Sequence, residues 1–256
     1  MTEPSSPALG RAIDGAVVLV TGASGGIGGA LVEALRAAGA AEIIAADRVP
    51  STTAGVTSLA LDITDPAAVM SAAAATSGRI DILINNAGVN GNRRLFDVES
   101  VATARREIEV NYLGLLNMAL AFGPAMRERG RGTIVNLLTF LGHLNLPLMA
   151  TYCASKAAAH SLTQALRAEL APSGVHVLGV YPTVVDTAMS AGVNAPKMMP
   201  AQVAADILAA IRSGAEDLYP GTAANAYRDL LEDPKRAERR MAERLSAARS
   251  AQSPST

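Results

Sequence analysis

The chain has 256 residues, half of them hydrophobic and only 3% aromatic, a size that buries most of its apolar surface in one α/β domain and leaves no large aromatic platform for a ligand. A formal charge of −1, from 22 basic and 23 acidic residues, supplies no field to draw nucleic acid or an anionic membrane, so a small-molecule partner is expected. The single cysteine, Cys153, excludes an internal disulfide, and His143, His160 and His176 lack zinc-site spacing, so no metal is expected.

Residues 1–14 are polar and proline-bearing, without the apolar centre of a signal peptide, and read as a flexible lead-in. No apolar run approaches the length of a membrane span, which points to the cytoplasm. Ala16 to Thr21 is a β-branched apolar run ending at glycine, and Ile27 to Ala38 then repeats apolar residues at helical spacing until Gly39. Strands are expected at Glu42 to Asp47, Val56 to Leu61 and Ile80 to Ile84, with an alanine-rich helix over Pro66 to Ser77. One long helix is expected from about Val98 to Met126, and another from about Ala150 to Leu170. Gly132 to Leu138 and Val175 to Tyr181 extend the strand series, and a helix over Val203 to Ile211 precedes a short strand at Asp217 to Tyr219. Continuous Val/Ile/Leu strands alternating with helices require a parallel sheet covered on both faces, so the expected fold class is α/β, a doubly wound (Rossmann) single domain over residues 15–231. Over residues 232–256, Asp233-Pro234 starts a charged helix whose one apolar stripe is Ala237, Met241, Leu245 and Ala248; its six basic residues from Lys235 to Arg249 are interleaved with Glu238 and Glu243 and read as a solvated face.

The first strand runs into Thr21-Gly-Ala-Ser-Gly-Gly-Ile-Gly28. Gly22, Gly26 and Gly28 remove side chains where backbone must approach a pyrophosphate, whose charge then meets the amides and dipole of the next helix. Asp47 lies 19 residues after Gly28, at the end of the second strand, where a carboxylate accepts from the adenosine ribose hydroxyls and repels a 2′-phosphate. NAD is therefore expected over NADP, although the neighbouring Arg48 is able to turn toward a phosphate. Asp62 ends the third strand, placed to meet adenine or simply to open the Asp62-Ile-Thr-Asp65 turn.

Further pieces follow in order: Asn85-Asn-Ala-Gly88, Asn111 in Val110-Asn-Tyr, Tyr152 followed by Lys156, and Pro182 through Thr187. With these the chain, from Ala16 to about Gly221, resembles the short-chain dehydrogenase/reductase family. The resemblance implies a nicotinamide cofactor held by Gly22, Ser24, Gly26, Ile27, Gly28, Asp47, Asp62 and Ile63, with Asn86, Ala87 and Gly88 along it. Tyr152, Lys156 and Pro182 would also border the cofactor, with Val185 and Thr187 at the carboxamide. It implies dimers or tetramers paired through the long helices.

Hydride transfer to a carbonyl leaves an alkoxide that needs a proton, and the reverse needs a base; Tyr152 is the candidate for both. Four residues on, Lys156 shares its helix face, where an ammonium at about 4 Å, worth up to about 4 kcal/mol at an effective dielectric of about 20, would bring the phenol toward neutrality. The family places a substrate-binding serine 13 residues before the tyrosine; here that position is Thr139, which keeps the hydroxyl donor but adds a methyl. The alternative for Thr139 is a β-branched residue finishing its strand. Asn111 would hold a water in a proton relay toward the lysine, or would be a satisfied packing residue. Phe140, Leu141, Leu144, Leu146, Leu148 and Met149, with the Met198-Met199 pair able to close over a ligand, point to a hydrophobic or cyclic alcohol or ketone. Two other functions share these residues: an impaired dinucleotide-binding sensor or scaffold, motivated by Thr139, and a dehydratase or epimerase that recycles NAD.

Overall fold

The computed structural model describes residues 12–76 and 78–252, with side chains described as far as Ser246. Most of the expected lead-in, Ser77 at the end of the expected second helix, the side chains of Ala248 and Arg249, and residues 253–256 lie outside the described residues.

Seven strands form one parallel sheet in the order β3-β2-β1-β4-β5-β6-β7. They are β1 (Val17–Thr21), β2 (Glu42–Asp47), β3 (Thr57–Ala60), β4 (Ile82–Asn85), β5 (Gly132–Leu137), β6 (Val175–Val180) and β7 (Asp217–Leu218). The central strands are apolar on both sides because helices cover both faces. Val18, Val20, Ile82 and Ile84 pack under helices α1 (Gly26–Ala37) and α6 (Pro200–Ser213), against Leu31, Leu35, Ile207 and Ile211. Leu19, Leu83 and Ile134 point the other way, toward Val69 of α2 (Pro66–Ala75) and Met118, Phe122 and Met126 of α4 (Leu115–Glu128). Asp65 caps α2 by accepting from the amides of Ala67 and Ala68 (2.9 and 3.0 Å).

The expected helix from Val98 to Met126 is interrupted. It consists of α3 (Ser100–Ile108), a π-helical segment (Glu109–Gly114) and α4. Helix α5 (Ala150–Leu170) crosses behind β5 and β6, and two further helices, α7 (Ala223–Glu232) and α8 (Pro234–Gln252), follow β7. Sequence periodicity did not reveal α7.

The strand order reverses between β2-β1 and β4-β5, because the chain winds first to one side of β1 and then to the other. A crevice opens at such a switch point, at the carboxyl ends of the strands. Thr21, Asp47, Asn85, Leu137 and Val180 are the last residues of five of these strands and deliver their following loops there.

Candidate active site

A cavity of about 1010 Å3 occupies that crevice, large enough for a dinucleotide and a second small molecule. Its nucleotide end is built by the turn after β1. The buried Thr21 hydroxyl accepts the amides of Asn86 and Ala87 (3.0 and 3.1 Å), and the Asn86 side chain donates to the carbonyls of Thr21 and Gly22 (3.0 and 2.9 Å). The two loops are thus locked together. A Cβ on Gly28 would stand 2.0 Å from the Gly22 carbonyl oxygen, which backbone cannot yield. Gly22 has φ +63° and leaves no room for a side chain against Ala87.

Helix α1 begins at Gly25 with no side-chain cap, so its first amides remain available to a ligand, and Gly25, Gly26 and Ile27 line the cavity. Asp47 and Asp62 line it as well. These features fit a dinucleotide: free amides for the pyrophosphate, carboxylates for the ribose and adenine end. Asp47 accepts from the Ser24 amide (3.0 Å) and from the Arg48 amide (2.7 Å). Asp62 accepts from the amide and hydroxyl of Thr64 (2.9 and 2.7 Å), and these bonds, with help from the Arg48 charge, hold its carboxyl below the ordinary value against a small opposing effect of burial. The turn and the cavity wall are therefore one feature at Asp62.

Ile63, Asn86, Ala87, Gly88, Pro182, Val185 and Thr187 also line the cavity. Thr187 and Ser190 form a reciprocal cap, and a Cβ on Gly26 would come 3.1 Å from the Thr187 methyl, so the segment after β6 closes directly over the glycine turn. Two predicted residues stand apart. Ser24 is exposed, with its hydroxyl on the Val49 carbonyl (3.2 Å), and Gly28 is buried beneath Gly22; neither lines the cavity.

Tyr152, Lys156 and Thr139 line the same cavity. Lys156 is 5% exposed and donates from Nζ to the Leu137 carbonyl (2.9 Å), and burial lowers its pKa to about 8. A Cβ on Gly88 would lie 3.4 Å from that Nζ and 3.1 Å from Asn111 Oδ1, which shows how closely the three residues converge. Burial, then the Cys153 thiol and Glu107, hold the Tyr152 phenol above its ordinary value. The expected lowering by Lys156 is not found: burial raises the phenol, and the Lys156 ammonium is directed at the Leu137 carbonyl.

The Thr139 hydroxyl donates to the Pro182 carbonyl (3.1 Å) and accepts the Leu141 amide (3.3 Å). It faces the cavity with its one hydrogen already engaged by backbone. Asn111 is 2% exposed; its amide donates to the Val89 carbonyl and to Ser155 Oγ (both 2.9 Å), and its oxygen accepts the Val89 amide (2.9 Å). This side chain pins the Gly88 loop to α5. It sits inside the π-helical segment, whose wider turn offsets the backbone there.

Leu141, Leu146, Met149, Met189 and Val193 form an apolar wall beyond Tyr152. Leu144, Leu148, Met198 and Met199 do not line it. Met198 instead forms a β-bridge with Val185 and packs on Gly221, while Met199 is exposed, so the expected closure by that pair does not arise. The wall is completed by Thr222, just before α7, Ala226 of α7, and Met241 and Arg244 of α8, none of them expected at the site. A stripe on α8 had been visible; its docking place had not. Among the described residues no cluster of side chains has the make-up of a metal site, and no helix is long and apolar enough to cross a membrane.

Residues 16–198 match the family model for short chain dehydrogenase. The chain belongs to the short-chain dehydrogenases. Relatives of this chain include the Dehydrogenase/reductase SDR family member 7B of Bos taurus, 30% identical over 236 residues covering 79% of this chain and 72% of that one. The galactitol 2-dehydrogenase (L-tagatose-forming) of Cereibacter sphaeroides is 39% identical over 192 residues, covering 70% and 74%. Some relatives are longer: the chain spans 59% of the rat protein of the 7B name. A short chain dehydrogenase from Burkholderia cenocepacia, solved in complex with NADP, superposes with a TM-score of 0.85 at 38% identity, over 90% of this chain and 99% of that structure.

Proposed function

We propose that this short-chain dehydrogenase is an NAD(H)-dependent alcohol dehydrogenase or carbonyl reductase, interconverting a secondary alcohol and a ketone on an apolar or cyclic substrate. The observation that carries the reading is the opening of Tyr152, Lys156 and Thr139 onto the same cavity as the uncapped start of α1 and Asp47. The nicotinamide, when bound, supplies or takes up the hydride. Tyr152 Oη gives a proton to the substrate oxygen in reduction and removes one in oxidation. Lys156 Nζ, already beside Gly88, is placed to orient the ribose and to bring a positive charge toward the phenol. Thr139 Oγ1 orients the substrate oxygen after turning from Pro182, or by accepting from an alcohol.

Asp47 supports NAD, while Arg48 in the same wall and the NADP in the Burkholderia structure support the alternative. The galactitol relative suggests that hydroxyl-rich substrates belong in any panel, against the apolar wall that favours ketones without them. A cytoplasmic enzyme, paired through its long helices as a homodimer or tetramer, completes the proposal. Its catalytic unit would be residues 15–231, with 232–256 as an appended helix and tail.

Stopped-flow oxidation of NADH across a ketone and polyol panel tests the reaction. Tyr152→Phe is expected to lower kcat by about 10²–10⁴ while leaving NADH affinity within about twofold; retention of most of the turnover would remove Tyr152 from the proton transfer. One observation favours a second reading, a nucleotide-dependent sensor: the Thr139 hydrogen engaged by Pro182. Single-turnover experiments showing tight NADH binding and no hydride transfer to any carbonyl would favour it.

A further inference from the structure

Helix α8 is the most polar long element of the described chain, yet it does not lie free in solvent. Ala237, Met241 and Leu245 are its half-buried positions, four residues apart on one face. That face packs on α7 and on the short turn Pro147–Met149, at the open side of the substrate end of the cavity. Met241 there joins Leu146 and Met149 in the apolar wall.

Arg244 is the helical neighbour of Met241 at i,i+3, on the edge of that stripe. It is exposed and lines the same cavity, so its long side chain gives a guanidinium within reach of a ligand there. Of the other basic residues of α8 with described side chains, Lys235 is answered by Glu238, Arg236 by Glu232 and Arg240 by Asp229, while Arg239, which has no ion pair among the described residues, does not line the cavity. Arg244 has no carboxylate within ion-pair distance among the described residues. The acidic residues in the cavity wall, Asp47, Asp62 and Glu109, sit on β2, after β3 and on the π-helical segment, not on the elements that carry Met149, Met241 and Arg244. The cavity therefore offers a planar five-donor cation beside an apolar surface, with the buried Tyr152 in the same lining.

We propose that α8 is a wall of the substrate site and that Arg244 binds an anionic group of the substrate, a carboxylate or phosphate borne on an apolar body, remote from the reacting carbonyl. This deepens the dehydrogenase reading and rests on it for the position of the carbonyl. A guanidinium takes a carboxylate or phosphate bidentately, and the apolar wall beside it gives the body of the same ligand a second contact.

The test uses the full chain and a chain-length series of methyl-ketone carboxylic acids, each with its methyl ester. At the best length the acid is expected to have the higher kcat/KM, and Arg244→Ala to lower it about five- to tenfold while the ester changes less than about twofold. Arg244→Lys should retain part of the preference, Arg244→Glu should reverse it, and salt should weaken the acid alone. The melting temperature should stay unchanged in Arg244→Ala, since the side chain is exposed. Calorimetric binding of the same acids and esters to the enzyme–NADH complex separates the two proposals. Acid-selective, Arg244-dependent binding without turnover supports the anion site and defeats the dehydrogenase reading. Turnover in which acid and ester respond equally to Arg244→Ala overturns the anion site and leaves the dehydrogenase. Absence of any acid preference in both binding and turnover overturns it as well.

Discussion

A buried lysine shows at the scale of one residue how a site is kept at the expense of stability. Lys156 titrates at about 8 inside the fold against an ordinary value of 10.5. Between those values the unfolded chain holds a proton that the folded chain does not, so stability rises with pH there, and the full penalty is present below about pH 8. At about 1.4 kcal/mol for each pH unit the charge costs about 3 kcal/mol, and the charge-assisted bond to the Leu137 carbonyl returns about 1.5–2 kcal/mol. Lys156→Met should therefore raise unfolding free energy by about 1–2 kcal/mol at pH 7, with the gain shrinking toward pH 10, while activity is lost. Urea melts of both proteins at the two pH values check this. A variant less stable than the parent at pH 7 would show that the lysine is held by favourable contacts and not tolerated for function.

At the scale of elements, a cluster of rings from five separate segments ties the substrate end together. His143, after the turn that follows Thr139, donates to or accepts from the Tyr219 hydroxyl (3.1 Å), and His160 of α5 meets the Tyr181 hydroxyl (2.9 Å). Tyr219 stacks on Tyr181 and on Tyr227 of α7 (4.8 and 4.3 Å between centroids). Asp217 favours the charged form of His143, but burial and the neighbouring His160 outweigh it and bring His143 to about 4. The unfolded histidine takes up a proton near its ordinary 6.5, so stability should fall as pH drops from 6.5 toward 4. His143→Phe should make that slope shallower without flattening it, because burial also lowers His160. Urea midpoints across that range measure the slope; equal slopes in both proteins would show that the cluster opens before His143 titrates. None of this cluster was legible in the sequence, since its residues are distant in the chain and share no period. The central strands were legible because burial on both faces forces continuous apolar runs, as in β1 and β2. The π-helical segment was not. Its geometry is held by bonds from Asn111 to Val89 and Ser155, 22 and 44 residues away, and not by any local signal. The glycine turn and the Tyr152–Lys156 spacing could be read because both depend on neighbours in the chain, whereas the direction of the Thr139 hydroxyl depends on Pro182 across the sheet.

At the scale of the whole molecule, the crevice joins the two halves of the sheet, so a ligand there touches both windings of the chain. The loop after β1 is bonded to the loop after β4, and the segment after β6 lies on the same glycine turn. A dinucleotide bound across these loops stabilises the entire cooperative unit in proportion to its affinity and concentration. At a hundredfold excess over Kd the gain is about 2.7 kcal/mol, which for a domain of this size shifts the melting temperature by roughly 5–10 °C. The size of that shift reports cofactor choice without any substrate. Asp47 at the end of β2 accepts the Ser24 and Arg48 amides, and a 2′-phosphate brought beside it would meet a carboxylate already fixed in place. NADH should thus raise the melting temperature more than NADPH at equal concentration. Asp47→Ala should narrow or reverse the order, because Arg48 then faces the ribose without a competing anion. A larger shift with NADPH in the parent protein would put Arg48 on the phosphate and make Asp47 a turn residue.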